Sequence, residues 1–180
     1  NIVDNLPAES YADVGFKTVT TNPCGEIPLS AYDSCRLISI NLKNLVKSPF
    51  KNPEFDFEKL YDVASKAMRL SDDLVELEVE KLENIIKASD TRDEKELWES
   101  LLKACKDGRR TGLGTHGLAD AIACMNLRYD SKEAVEVIGK IYETLRNAAY
   151  MESVSLAIER GTFQVFDWEK EKDNEYIKRL

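Results

Sequence analysis

A short loop early in the chain combines residue types that suit hydrogen-atom chemistry. Asn22, Pro23, Cys24, Gly25 and Glu26 are consecutive. Proline fixes φ and glycine permits a sharp turn, so the sequence predicts a loop that presents Cys24 at its tip. A carboxylate two residues away disfavours a thiolate nucleophile. A neutral thiol can instead supply a hydrogen atom while the carboxylate accepts a proton from a neighbouring hydroxyl. The simpler alternative is a surface turn with an incidental cysteine.

The elements that must position this loop follow from the hydropathy pattern. β-Branched and aromatic runs at 16–21 and 35–42 predict strands on either side of a loop at 22–28. Asp56 is a predicted N-cap, Thr91 and Glu94 form a capping box, and Ser131 caps a helix that ends at Gly161. The pattern predicts helices from 56 onward, at 92–107, at 118–126 and at 131–161, then a short extended segment at 161–166 and a helical tail at 173–180.

Composition limits the compartment and the partners. The 180 residues include 25 Lys and Arg against 33 Asp and Glu, a formal net charge of −8. This acidic balance argues against a nucleic-acid surface and against docking on anionic membranes. Four cysteines without a C-x-x-C pair, and one histidine, predict a cytoplasmic protein with reduced thiols and no metal site. No segment is apolar enough to span a bilayer. The sequence does not open on a basic segment followed by an apolar one, so secretion is not expected.

The predicted elements do not close into a complete sheet. Two or three strands among several long helices would leave open strand edges. The sequence also begins at Asn1 rather than at a methionine. We therefore expect an internal portion of a larger α/β domain.

Three stretches of the chain resemble the signatures of one enzyme family. The residues from Asn22 to Leu29 are similar to the finger loop of ribonucleotide reductase catalytic chains. The segment from Arg109 to Gly114, followed by Gly117 to Asp120, resembles the second signature of the family, and Gly161 to Phe163 a weaker third. Their order and separation also fit, and the resemblance extends from about residue 19 to residue 166.

The resemblance implies a fold and a domain assignment. Residues 1–180 are expected to form a partial catalytic barrel domain, a helix-rich α/β fragment of the ten-stranded barrel of the family. The finger loop would occupy 22–28 and the helical part 56–160. The implied activity of the whole enzyme is the conversion of ribonucleotides to 2′-deoxyribonucleotides for DNA synthesis, by thiyl-radical chemistry and with a redox-active disulfide.

The position of Cys35 favours one subclass within that resemblance over the iron-dependent class I, in which the corresponding cysteine comes later in the chain. A cysteine close behind the loop, in the stretch from Tyr32 to Leu37, is similar to the adenosylcobalamin-dependent class II enzymes. The cofactor radical would take hydrogen from Cys24, and the thiyl would abstract the 3′ hydrogen of the substrate. Glu26 would accept the 3′-hydroxyl proton, and Asn22 would hold a sugar hydroxyl. Cys35 and a partner thiol would protonate the leaving 2′-hydroxyl and close to a disulfide.

The resemblance also implies partners that this chain does not contain. The partner of Cys35 belongs to an earlier strand in the family, and Cys105 and Cys124 are predicted core residues. A thioredoxin-like protein or a dithiol would re-reduce the disulfide. One or more complementing chains would carry the rest of the barrel, and this chain alone is expected to be inactive.

Two alternatives from other functional classes remain open at this point. Gly112, Gly114 and Gly117 spell G-x-G-x-x-G, which could indicate a dinucleotide-binding module if the motif followed a strand and opened a helix. The acidic runs at 76–83 and 94–99 could belong to a non-catalytic helical interaction module, although such runs are usually solvated faces. His116 is expected to be a hydrogen-bonded structural residue rather than a ligand.

Overall fold

A computed structural model describes residues 7–25, 27–174 and 177–179. Its α-helices dominate, and the strands are short. The elements in chain order are β1 (Thr20–Thr21), β2 (Pro28–Leu29), β3 (Arg36–Asn41), β4 (Val46–Lys47), β5 (Glu54–Phe55), α1 (Phe57–Ala88), α2 (Arg92–Gly108), β6 (Thr111–His116), α3 (Leu118–Cys124), α4 (Lys132–Arg160) and α5 (Trp168–Glu171). Short 3₁₀ helices cover Pro7–Val14, Leu42–Leu45 and Ile177–Arg179.

The strands form three separate two-stranded sheets in the described residues. The pairs are β1 with β2, β3 with β6, and β4 with β5. The first and third pairs are antiparallel, with Thr20 opposite Leu29 and Val46 opposite Phe55. No closed sheet results within the described ranges. The expected helix-rich α/β fold is confirmed, but these ranges contain six short strands rather than the two or three predicted.

The chain divides into two compact units. The first comprises Asn1–Arg36, Asp72–Gly112 and Ala157–Leu180, and the second comprises Leu37–Ser71 and Leu113–Leu156. The second unit has the larger apolar core, in which Leu42, Leu60 and Ile141 are fully buried. The first unit has a smaller cluster of Val75, Leu82 and Cys105.

The helix boundaries follow the predicted caps. The side chain of Asp56 accepts a hydrogen bond from the backbone N–H of Lys59 at 3.0 Å, and α1 begins at the next residue. Thr91 Oγ1 accepts from the N–H of Glu94 at 3.3 Å, and Ser131 Oγ accepts from that of Ala134 at 3.2 Å. These bonds satisfy backbone donors that have no partner in the first turn. The predicted starts of these three helices are therefore confirmed.

The end of α2 differs from the prediction. Gly108 is expected just past the helix, but the helix includes it, and Arg109 takes the left-handed conformation with φ of 44°. A Cβ at position 108 would lie 2.5 Å from Cε1 of Phe16. The glycine therefore permits a close approach of the Phe16 ring.

Three predicted extended or helical segments are wrong or incomplete. Of residues 16–21, only Thr20–Thr21 pair as a strand, because Phe16 is buried against α2 instead. Residues 161–166 form no strand, and the ring of Phe163 packs edge-on against Tyr11 and Phe166. In the tail predicted at 173–180, the described residues form only the 3₁₀ turn Ile177–Arg179; residues 175, 176 and 180 lie outside the described residues.

Candidate active site

The predicted loop is the connection of a small β-hairpin. Backbone hydrogen bonds close its base: Val19 N–H donates to the carbonyl of Leu29, and Asn22 N–H donates to that of Ile27, both at 3.0 Å. The loop is one residue shorter than predicted, because Pro28 is the first residue of β2. Proline is tolerated there since the first residue of an edge strand need not donate to the ladder.

A tight turn forms the tip of this hairpin. Gly25 N–H donates to the carbonyl of Asn22 at 2.9 Å, so the four residues 22–25 form a β-turn with Pro23 at its second position. Gly25 has φ of 76°, a conformation that residues with a Cβ rarely adopt. Cys24 is exposed at the tip. The expectation that Pro23 and Gly25 would present Cys24 on a turn is thus met.

The other three predicted site residues differ in how far the structure describes them and in their burial. Asn22 is partly buried at the start of the turn. Cys35 is half-buried and lies one residue before β3, rather than inside the predicted strand. Glu26 lies outside the described residues. The catalytic roles assigned to Asn22, Cys24, Glu26 and Cys35 therefore remain predictions.

Arg36, next to Cys35, lies in an ion-pair and hydrogen-bond network that the sequence pattern does not predict. Its side chain is only 6% exposed and forms an ion pair with Glu78 of α1, with Nε 2.6 Å from Oε2. Nη1 donates to the carbonyl of Arg110 at 3.1 Å. Nη2 donates to Sγ of Cys105 at 2.8 Å. A charged residue inside an apolar strand-like run was the available signal, since buried arginines require partners.

A second ion pair lies on the other side of Cys35. Nε of Arg110 donates to Oδ2 of Asp33, whose side chain is 1% exposed. Asp33 Oδ1 accepts from the backbone N–H of Ser34 at 2.9 Å. The hydroxyl of Ser34 also donates to Glu78 at 3.0 Å. Residues 33–36 are therefore bound to α1 and to the segment that follows α2.

The other two cysteines are buried, as predicted. Cys124 is 3% exposed in the core of the second unit, and Cys105 is 3% exposed in the cluster of the first. Burial raises the pKa of the Cys105 thiol, against the opposing effect of the Arg36 guanidinium. A buried thiol of this kind is a poor nucleophile.

The glycine motif does not have the context of a dinucleotide-binding fingerprint. Gly112 and Gly114 lie inside strand β6, whereas the fingerprint requires them in the turn after a strand. Gly117, with φ of 70°, precedes α3, and the next element is the helix α4 rather than a second strand. His116 Nδ1 lies 2.8 Å from Ser39 Oγ on the neighbouring strand, in keeping with a structural role.

The acidic run on α1 is largely engaged within the first unit. Glu76 pairs with Arg109, Glu78 with Arg36, and Glu83 with Lys106 at 2.7 Å. These contacts reduce the support for an acidic partner-binding face. Across the described ranges, no group of three or more possible metal-ligating side chains is present. In that same part of the chain, no helix has the length and apolar character needed to cross a membrane.

Comparison with known proteins identifies the family. The family model described as ribonucleotide reductase, barrel domain, matches residues 11–179. The chain belongs to the ribonucleotide reductase family. The predicted fold as a fragment of its barrel domain is confirmed by this match, which covers nearly the whole chain.

Individual ribonucleotide reductases differ in their similarity to the chain. It is 34% identical over 146 residues to a vitamin B12-dependent ribonucleoside-diphosphate reductase of Mycobacterium tuberculosis, covering 81% of the chain and 18% of that protein. A vitamin B12-dependent relative from Thermoplasma acidophilum is 34% identical over 168 residues, 92% of the chain and 19% of that protein. The reductase subunit alpha of Chlamydia pneumoniae is 30% identical over 154 residues, 83% of the chain and 13% of the relative. The chain thus spans less than a fifth of the length of these relatives.

Proposed function

We propose that this chain supplies the finger loop of a ribonucleotide reductase that converts ribonucleoside diphosphates to 2′-deoxyribonucleotides. The observation that carries the proposal is the exposed thiol of Cys24, held on a hydrogen-bonded turn within a chain of this family. The diphosphate form of the substrate follows the names of the vitamin B12-dependent relatives.

The chemistry of the reduction assigns distinct roles to the two cysteines of the site. Cys24, as a thiyl, takes the 3′ hydrogen of the ribose and returns a hydrogen atom at the end of the cycle. Glu26 accepts the proton of the 3′-hydroxyl, and Asn22 holds a sugar hydroxyl. Cys35 and a partner thiol supply two electrons and two protons. The C2′–O bond breaks, water leaves, a C2′–H bond forms and the two thiols become a disulfide.

Adenosylcobalamin is the proposed cofactor, since two of the relatives described above are named vitamin B12-dependent. When bound, it supplies the radical that removes the hydrogen atom of the Cys24 thiol. The residues present fit this chemistry in one respect: Cys24 is exposed at a hairpin tip, where a group bound elsewhere on the protein can reach it. Cys24 is the residue that would face the cofactor.

The domain assignment carries a proposal about partners. Residues 1–180 form part of the catalytic barrel, with the finger loop at 22–28 and the helical part at 56–160. The remaining strands of the barrel come from further polypeptide, in the same or in a complementing chain. A dithiol or a thioredoxin-like protein re-reduces the disulfide that includes Cys35.

The test is a reductase assay on the chain together with the polypeptide that supplies the rest of the barrel. The mixture contains adenosylcobalamin, a dithiol and a ribonucleoside diphosphate, and the deoxyribonucleotide is quantified. We expect product with the native sequence and none with Cys24→Ala. Cys124→Ala, which removes a buried thiol of the second unit, is the matched control and should retain activity in its folded fraction. Product formation by Cys24→Ala would overturn the proposal.

A further inference from the structure

The segment that carries Cys35 is held from both sides by ion pairs between residues distant in sequence. Asp33, two residues before the cysteine, accepts from Arg110. Arg36, one residue after it, binds Glu78. The two pairs are also joined, since Nη1 of Arg36 donates to the backbone carbonyl of Arg110. We call Asp33, Arg36, Glu78 and Arg110 the clamp.

The burial of the clamp distinguishes it from the surface ion pairs of the same unit. The side chains of Asp33 and Arg36 are 1% and 6% exposed, and those of Arg110 and Glu78 are 21% and 34% exposed. In the exposed pair of Arg92 and Glu96 on α2, the values are 88% and 58%. Removing one partner of a buried pair leaves a charge without compensation, whereas an exposed pair contributes little.

We propose that Arg110 and Glu78 are positioning residues for the redox step at Cys35. They act through Asp33 and Arg36, which hold the backbone on either side of the thiol. Disulfide formation requires a narrow range of Cα–Cα distance and of torsion angle. A fixed backbone at residues 33–36 keeps Cys35 within that range when its partner thiol attacks. The inference rests on the proposed role of Cys35 in the reductase.

The proposal also assigns a purpose to the arginine pair of the second signature. Arg109 binds α1 through Asp72, with Nη2 2.7 Å from Oδ1, and through Glu76. Arg110 points to the segment of Cys35 through Asp33. The two arginines therefore connect the end of α2 to α1 and to residues 33–36. Neither role requires contact with substrate.

The first experiment measures the exposure of the thiol in the chain itself. Wild type, Asp33→Asn, Arg110→Gln and the double variant are alkylated with iodoacetamide under native conditions, and each cysteine is followed by peptide mass spectrometry. We expect both single variants to raise the alkylation rate of Cys35 severalfold while that of Cys24 is unchanged. The double variant replaces the ion pair by two neutral amide side chains that can form a hydrogen bond. Its Cys35 alkylation rate should therefore be closer to that of the wild type. Glu96→Gln, which breaks the exposed pair on α2, is the matched control.

The second experiment measures turnover of the assembled reductase. The proposal gives the clamp no contact with substrate. Arg110→Gln should therefore lower kcat about 10- to 100-fold, the usual effect of a misplaced reacting group, and leave KM equal to that of Glu96→Gln. If Arg110 only stabilised the fold, Arg110→Gln would lower the folded fraction but would not lower kcat at unchanged KM. The double variant would then show no return of kcat towards the wild-type value.

The outcomes separate this inference from the proposed function. If the single variants fold and still match Glu96→Gln in two quantities, the ratio of Cys35 to Cys24 alkylation and kcat, that result would overturn the proposed role of the clamp. If a single variant does not fold, the double variant Asp33→Asn and Arg110→Gln is compared with Glu78→Gln instead. A kcat of the double variant no higher than that of Glu78→Gln would overturn the proposal. If Cys35→Ala retains full reductase activity, the proposed role of Cys35 fails, while the labelling ratios still decide whether the clamp holds the segment.

Discussion

Gly108 lies directly against the ring of Phe16. A Cβ added at position 108 would stand 2.5 Å from Cε1 and 2.9 Å from Cζ of that ring. Phe16 is buried, with 8% exposure, and precedes the hairpin that carries Cys24. Gly108 is the last residue of α2 and precedes the arginine pair. The contact therefore joins the segments that lead into the first two family signatures.

This contact reverses the usual effect of alanine in a helix. Alanine is favoured over glycine by about 1 kcal/mol in helix interiors, but Gly108→Ala must displace a buried ring. We expect the substitution to lower the free energy of unfolding by about 1–3 kcal/mol, as overpacking does. In a Phe16→Leu background the same change should be neutral or stabilising. Urea unfolding of the wild type and the three variants measures this cycle, and an equal loss in both backgrounds would contradict the contact.

The N-cap of α2 offers a second test. Thr91→Ala removes the acceptor for the backbone N–H of Glu94, and such caps contribute about 1 kcal/mol. We expect a decrease of that size in the free energy of unfolding. Ser100→Ala is the control, because its exposed hydroxyl bonds the Glu96 carbonyl inside the same helix. An equal decrease in both variants would show that the cap contributes nothing specific.

Two leucines of α1 test the core of the second unit. Leu60 is fully buried and Leu70 is 53% exposed. We expect Leu60→Ala to lower the free energy of unfolding by about 2–5 kcal/mol, through lost burial and the cavity that remains. Leu70→Ala should change it by less than about 0.5 kcal/mol, as surface substitutions do. Thermal unfolding followed by circular dichroism compares the two. Similar losses would place the core elsewhere.

Tyr11 makes stability depend on alkaline pH. Burial raises its pKa from 10.0 to about 12, and its ring stacks edge-on with Phe163. Because the folded state holds the phenol proton more tightly than the unfolded state, the stabilisation is complete below pH 10 and is lost as the pH rises towards 12. The free energy of unfolding should therefore fall more steeply over this interval in wild type than in Tyr11→Phe. Equal slopes would refute the assignment to Tyr11.

The four cysteines should react with alkylating reagents in a fixed order. Cys24 is exposed, Cys35 is half-buried, and Cys105 and Cys124 are buried. Alkylation at mildly alkaline pH should modify Cys24 first and Cys35 second, and should reach the buried pair only on unfolding. Burial, which raises the pKa of the Cys105 thiol, slows its reaction further. Time-resolved peptide mapping gives the order, and early modification of Cys105 would argue against the packing of its cluster.

The features that the sequence predicted correctly are local. Asp56, Thr91 and Ser131 each bond a backbone N–H three residues ahead, so their spacing alone locates a helix start. The turn that exposes Cys24 likewise depends on the residues on either side of it, Pro23 and Gly25.

The features that the sequence did not reveal depend on distant parts of the chain. Asp33 and Arg110 are 77 positions apart, and Arg36 and Glu78 are 42 apart. The apolar run at 16–21 predicts a strand, but its first residue packs against Gly108 and only its last two pair. The aromatic residues after Gly161 likewise predict an extended segment, whereas the ring of Phe163 packs on Tyr11. Contacts between distant segments produce no periodic pattern of residue types within either segment, so the sequence alone does not predict them.

The backbone bonds of the hairpin tip have a further consequence for the proposed reductase. Asn22 N–H bonds the Ile27 carbonyl, and the Asn22 carbonyl accepts from Gly25, so the loop is folded before any substrate arrives. Ordering a flexible backbone costs about 1–2 kcal/mol of conformational entropy per residue. That cost falls on the folding of the chain, so the proposed catalytic cycle would not repeat it. Lengthening the loop by inserted glycines would transfer it back to the binding step.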